Sequence, residues 1–329
     1  MNNNLESQIF QIKNTLQFEN LALKIFRFQS ENIPVYSQYI KYLGIDTNNI
    51  KHINEIPFLP IDFFKTHKII SDNSKHEQIF TSSGTTGLST SKHYISDISL
   101  YEKSFRKGFN FFYGDITDYC VLALLPSYLE REGSSLIYMA EDMIKQSKHP
   151  DSGFYLHNID ELAEKLISLS KSKQKTILLG VTYALLDLAE KYKFNLNNTI
   201  IMETGGMKGK RKEIIREKLH KILTTRLGVN SIHSEYGMTE LLSQAYSKGN
   251  GIFLTPPWMK IFIRDTYDPL SLIETGKSGG INIIDLANIN SCSFIETKDL
   301  GKIHKEGDFE VLGRFDNSDI RGCNLLVND

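Results

Sequence analysis

Apolar positions in the first thirty residues step by three and four. Leu5, Ile9, Ile12 and Leu16 form one stripe, and Leu21, Ile25 and Phe28 resume it, which is the spacing of an amphipathic helix. Pro34 lies beyond its end. In Ile56-Pro57-Phe58-Leu59-Pro60 the prolines hold the chain extended, and the next helix is expected near Asp62. From Tyr119 the pattern changes to short β-rich runs alternating with helical ones. Tyr119–Leu125 reads as a buried strand. Thr176–Leu179, a helical stretch around Tyr183–Tyr192, and Thr199–Met202 read as strand, helix, strand. Lys210–Leu227 carries Ile214, Ile215, Leu219, Ile222 and Leu223 on one face and predicts another helix before the strand-like Ser231–His233. Such alternation implies parallel strands joined by crossover helices, hence an α/β fold. The last third differs. Ile252–Thr255, Ile261–Ile263, Ile281–Ile284 and Phe309–Leu312 are separated by Gly, Pro and Asp turns with no long helix between them, which predicts a smaller β-rich layer on the same body.

Composition narrows the class. The chain of 329 residues is 40% hydrophobic and 23% charged, with 38 basic and 39 acidic side chains and a net charge of −1. That balance excludes disorder and gives no basic excess for coating nucleic acid. Apolar runs such as Val121–Leu125 are too short to cross a bilayer, and the polar start Met1-Asn2-Asn3-Asn4 lacks the layout of a secretory signal. The three cysteines, Cys120, Cys292 and Cys323, form no CxxC pair and no disulfide framework. The expectation is a cytoplasmic protein with reduced thiols, without integral membrane association.

Two segments carry chemistry. Thr81-Ser82-Ser83-Gly84-Thr85-Thr86-Gly87, with Lys92 beyond it, gathers hydroxyls and glycines in one loop. Its backbone N–H groups can form an anion nest, with the lysine as a point charge for phosphate. The same composition also suits a solvated surface loop. Neither GxxxxGK[ST] nor GxSxG occurs, so it is neither a Walker loop nor a nucleophile elbow. Ser234-Glu235-Tyr236-Gly237-Met238-Thr239-Glu240 follows a predicted strand, at the carboxyl-end crevice where α/β sheets bind ligands. There Tyr236 can stack on a base and Glu240 can hold Mg²⁺; a plain strand–turn–helix connection is the alternative. Gly205 and Gly206 follow another predicted strand, where a flat ligand or an ordinary turn fits equally. Asp299 and Arg314 can hydrogen-bond a sugar diol, or be surface charges.

The order TSSGTTG, GGM, YGMTE, TKDLG and GRFDNSDIRG resembles the successive core motifs of the adenylate-forming superfamily of acyl and aryl ligases. Ile56–Lys65, Gly205-Gly206 with Lys208, Thr255-Pro256-Pro257-Trp258 and the ending Ile320-Arg321-Gly322-Cys323 are similar to the acyl-protein synthetase (LuxE-type) family. That family supplies the activating subunit of the fatty-acid reductase that feeds bacterial luciferase. The resemblance implies a large adenylate-forming body over 1–313, with a helical cap at 1–75 and a β-rich subdomain at 250–313. A hinge and short tail would occupy 314–329, the usual lid domain being essentially absent. It implies ATP and Mg²⁺ as cofactors. Thr81 to Gly87 with Lys92 would hold the phosphates, with Thr239 in the same nucleotide site. Gly205, Gly206 and Tyr236 would frame adenine, Glu240 would bind Mg²⁺, and Asp299 with Arg314 would bind ribose. Cys323 would accept the acyl group, and the stretch from Arg314 to Cys323 reaches at most ~30 Å, enough to return to the α-phosphate. The implied activity is ATP-dependent activation of a carboxylic, chiefly fatty, acid, with transfer to a protein thiol and then to a partner reductase or carrier. A relative of the arylacetate–CoA ligases and a non-catalytic nucleotide- or acyl-binding subunit are the alternatives.

Overall fold

The computed structural model describes residues 2–72, 74–82, 90–126, 133–205, 214–304 and 307–315. The N-terminal stripe is broken into two helices, α1 (Asn2–Ile9) and α2 (Thr15–Asn32). Asn14 caps α2 by accepting from the amide of Gln17, and Leu16, 68% exposed, falls off the buried face. Pro34 does not merely follow a helix; it starts α3 (Pro34–Tyr42), where a missing N–H costs nothing. Then come β1 (Leu59–Pro60), α4 (Phe63–Thr66) and the antiparallel hairpin β2 (Gln78–Thr81) and β3 (Lys92–Ile95).

The central elements are α5 (Ile98–Tyr113), β4 (Cys120–Leu124), α6 (Ser135–Ser147), β5 (Gly153–Phe154), α7 (Ile159–Lys171), β6 (Thr176–Val181), α8 (Thr182–Lys191), β7 (Thr199–Thr204), α9 (Arg216–Leu227) and β8 (Ile232–Tyr236). Strands β5, β4, β6, β7 and β8 are parallel neighbours in that order. β4 and β6 are buried at every position, as continuous apolar strands covered on both faces must be. Helix α9 begins at Arg216, six residues later than the apolar stripe predicts. Ile215 is extended and 71% exposed, so Ile214 and Ile215 belong to the approach, not the helix. Its end is set by Gly228 at φ +66, where a Cβ would lie 2.5 Å from the Phe194 carbonyl oxygen.

The C-terminal third adds β9 (Ala245–Ser247), β10 (Ile252–Leu254), β11 (Met259–Arg264), β12 (Ser278–Asp285), β13 (Phe294–Ile303) and β14 (Phe309–Arg314). These strands continue the same sheet. The order β11-β12-β13-β14-β10-β9-β8-β7-β6-β4-β5 runs unbroken, with β1 pairing β13 in parallel. A 3₁₀ turn, Leu286–Asn288, links β12 to β13. Among the described residues no helix is long and apolar enough to cross a membrane.

Candidate active site

The hairpin β2–β3 closes on the pair Thr81 and Lys92. The Ser82 amide donates to the Ser91 carbonyl at 3.1 Å and the Ser91 amide to Ser82 Oγ at 2.9 Å, pinching the neck of the hydroxyl-rich loop. The Thr81 amide donates to the Gly133 carbonyl at 2.7 Å, anchoring the neck to the stretch before α6. Lys92 is exposed at the loop's mouth and makes no ion pair among the described residues. Ser83, Gly84, Thr85, Thr86 and Gly87 lie outside the described residues, as do Gly206, Lys208 and Cys323.

Strands β7 and β8 end side by side, with Thr204 opposite Glu235. Thr204 Oγ1 donates to Glu235 Oε2 at 2.6 Å, and Gly205 leaves the sheet exposed, at φ +67. At Gly237 a Cβ would lie 2.5 Å from Glu235 Oε1 and 3.3 Å from Gln244 Cγ, so a larger residue would have to displace the Glu235 carboxylate. Tyr236 stands edge-on to Phe253 and Phe309, at centroid distances of 6.0 and 5.8 Å.

Three of the residues singled out in the sequence meet here. Tyr236 donates its hydroxyl to Asp299 Oδ2 at 2.8 Å, and Arg314 Nε lies 3.4 Å from Asp299 Oδ1. The β13–β14 register causes the second contact by setting Asp299 directly opposite Arg314. Burial pushes the Asp299 carboxyl up, and the Tyr236 hydroxyl, Arg314 and Arg264 oppose that shift. The tyrosine hydroxyl is itself held well above its ordinary value, by burial and then by the adjacent carboxylate. Tyr236 is therefore tied to the aspartate expected at the ribose.

Glu240 is 5% exposed. Burial raises its carboxyl, while a hydrogen bond with the Ser91 side chain and the charge of Arg314 lower it. The neck of the hydroxyl loop, Glu240 and the Asp299–Arg314 pair are thus within electrostatic reach of one another. Among the described residues no group of three or more His, Cys, Asp or Glu side chains converges on a metal position. A Mg²⁺ ion would be held by Glu240 with ligand oxygens, the arrangement this ion prefers.

Sequence reasoning missed the groups behind the site. His93, next to Lys92, is fully buried, with ring nitrogens 2.8 Å from the Thr239 carbonyl oxygen and 3.0 Å from Asn288 Oδ1. Burial pushes it down to about 4, and the two oxygens push the other way. Asp285, fully buried, accepts from the amides of Leu242 and Ser243 at 2.8 and 2.9 Å and from Ser243 Oγ at 2.6 Å. Glu203 accepts from Ser234 Oγ at 2.9 Å and pairs with His220 Nε2 at 2.8 Å. Strand alternation around Lys92 was the one available signal, since it turns His93 inward.

The chain matches solved structures over most of its length. It overlays 2-hydroxyisobutyryl-CoA ligase, solved with 2-HIB-AMP and CoA, at a TM-score of 0.67 and 12% identity, covering 93% of this chain and 77% of that one. The fold is that of the adenylate-forming enzymes. ATP-bound MatB from Rhodopseudomonas palustris shares this adenylate-forming fold at a TM-score of 0.54 and 17% identity, over 72% of this chain and 47% of that chain. So does a long-chain-fatty-acid-CoA ligase from Archaeoglobus fulgidus, at 0.52 and 16%, over 73% and 52%. The chain thus spans about half the length of these two ligases. In sequence, a 71-residue stretch is 35% identical to the LuxE-type long-chain-fatty-acid–luciferin-component ligase of Photorhabdus luminescens, covering 21% of this chain and 60% of that protein. No protein-family model matches.

Proposed function

We propose that the chain activates a carboxylic acid with ATP as an acyl-adenylate and passes the acyl group to the thiol of Cys323. The observation that carries the reading is the meeting of Tyr236, Asp299, Arg314 and buried Glu240 at the carboxyl edge of the parallel strands, with Ser91 of the hairpin neck beside Glu240. Asp299 and Arg314 offer an acceptor and a donor to a ribose diol, and exposed Lys92, beside the Ser82–Ser91 neck, offers a cation to the phosphates. A carboxylate oxygen of the acid attacks the α-phosphorus in line and pyrophosphate leaves. When bound, Mg²⁺ supplies positive charge at the phosphate oxygens. The remaining stabilisation comes from this chain: loop donors and Lys92 hold charge that develops on the phosphoryl oxygens.

The name of the Photorhabdus relative supports a long-chain fatty acid as substrate and an acyl-accepting reductase or carrier as partner. The burial of the other two cysteines supports Cys323 as acceptor. The Cys120 thiol is pushed up to about 11 and that of Cys292 to about 12, so neither offers thiolate near neutral pH. Capture is a thiolate attack on the acyl carbon, releasing AMP. Pyrophosphate exchange into ATP, run with fatty and aryl acids, tests the first half-reaction, and its absence for every acid would favour a binding subunit. Labelled acid and ATP should mark the protein with a hydroxylamine-sensitive bond that Cys323→Ser removes while exchange persists. Release of acyl-CoA without labelling would favour a CoA ligase.

A further inference from the structure

The turn that carries Glu240 is gripped from behind by side chains distant in sequence. The Thr239 carbonyl faces His93 Nδ1, and the Glu240 carbonyl accepts from Asn288 Nδ2 at 2.7 Å. His93 Nε2 meets Asn288 Oδ1, which closes the circuit. Asn288 is held in turn: its carbonyl accepts from Gln29 Nε2 at 3.0 Å, and the same amide reaches the Ile289 carbonyl at 2.9 Å. His93 and Asn288 are both buried, and the ring of Phe64 packs edge-on against the imidazole at 5.5 Å. On β3, alternation turns Lys92 out to the loop's mouth and His93 in to the Glu240 turn.

We propose that His93, acting with Asn288, is a positioning residue that holds the Thr239–Glu240 turn in register with Lys92 and the Ser82–Ser91 neck. This rests on the ATP-binding reading of the site. One short strand then fixes both ends of the charge-stabilising apparatus: Lys92 contributes directly, and His93 aims the carboxylate through its main chain. A metal held by one protein carboxylate depends on that aim, because outer partners of a ligand set its orientation.

His93→Phe keeps the ring and its packing on Phe64 but removes both polar contacts. ATP binding would be measured by calorimetry with and without MgCl₂, alongside pyrophosphate-exchange kinetics and melting temperature. Metal-free ATP affinity should stay near that of wild type. The gain in affinity from MgCl₂ and the exchange turnover should each fall ~10–100-fold, and KM for ATP with MgCl₂ present should rise as that gain is lost, as for outer-shell partners elsewhere. His93→Gln, whose amide can still donate to Thr239, should recover part of the loss, and it replaces the phenylalanine variant if that protein does not fold. Variants that melt lower yet keep the wild-type MgCl₂ gain and turnover would overturn the proposal and leave His93 a core bridge. A wild type that binds no ATP would overturn the site reading and this inference with it. ATP binding by wild type with unchanged variants overturns the inference alone.

Discussion

Arg314 touches Asp299 from a side chain that is 74% exposed, across 3.4 Å. Such a pair contributes at most about 1 kcal/mol to stability, so the arginine matters for what it offers a ligand. Arg314→Ala should leave the melting temperature nearly unchanged while weakening ATP binding in calorimetry. Asp299→Asn should weaken it by ~1.5–3 kcal/mol, the usual worth of a hydrogen bond to a charged group. The double variant should cost less than the sum if both grip one diol; strict additivity would place them at separate sites. Lys92→Ala should slow pyrophosphate exchange by ~10²-fold with little change in ATP affinity, because charge develops only in the transition state. Unchanged exchange would make the lysine a surface residue. The segments that carry these residues stand out in the sequence because their motifs follow one order along the chain. His93 does not, since its partners lie 146 and 195 residues away and no local spacing announces them.

Elements were legible where burial is uniform and obscure where a single side chain decides. β4 and β6 read directly from apolar runs buried on both faces. The start of α9 did not, because Ile214 and Ile215 extend its apolar period into non-helical backbone. β13, ten residues long, escaped because Lys298, Asp299 and Gly301 interrupt its apolar pattern; Asp299 meets Tyr236 and Arg314, while Lys298 pairs with Asp62. The 3₁₀ turn after β12 shows how much one such link carries. Asp285 at its entry accepts the amides of Leu242 and Ser243, just past Glu240. Asp285→Ala would bury both N–H groups without acceptors, at ~1–3 kcal/mol each. Urea melts should show that loss, whereas Ser243→Ala, which removes one hydroxyl donor, should cost less. Equal stability of Asp285→Ala and wild type would mean the turn rearranges to satisfy itself.

At the scale of the molecule, the β-rich third was foreseen as a smaller layer and proves to continue the parallel sheet through β9 and β10. That continuity brings Asp299 and Arg314 on β13 and β14 to the edge of β8, and lets α2 reach the Glu240 turn through Gln29 and Asn288. Burying so much polar machinery makes stability depend on pH in two opposing senses. Burial raises the carboxyls of Glu240, Asp285, Glu296 and Asp299, so their contribution is full below the unfolded carboxylate range and is lost as pH rises through their folded values. His93 runs the other way. Its folded value is depressed from 6.5 to about 4, so the unfolded chain binds the proton first on acidification. Its contribution is therefore complete above about 6.5 and is lost as pH falls toward about 4. The stability advantage of wild type over His93→Gln should shrink across that window by roughly tenfold in the folding constant per pH unit, one proton's linkage. Urea melts of both proteins at pH 7, 5.5 and 4.5 measure this directly. Parallel curves would mean that the imidazole binds its proton equally in the folded and unfolded chains, and an advantage that grows on acidification would mean that the ring keeps its proton in the folded state.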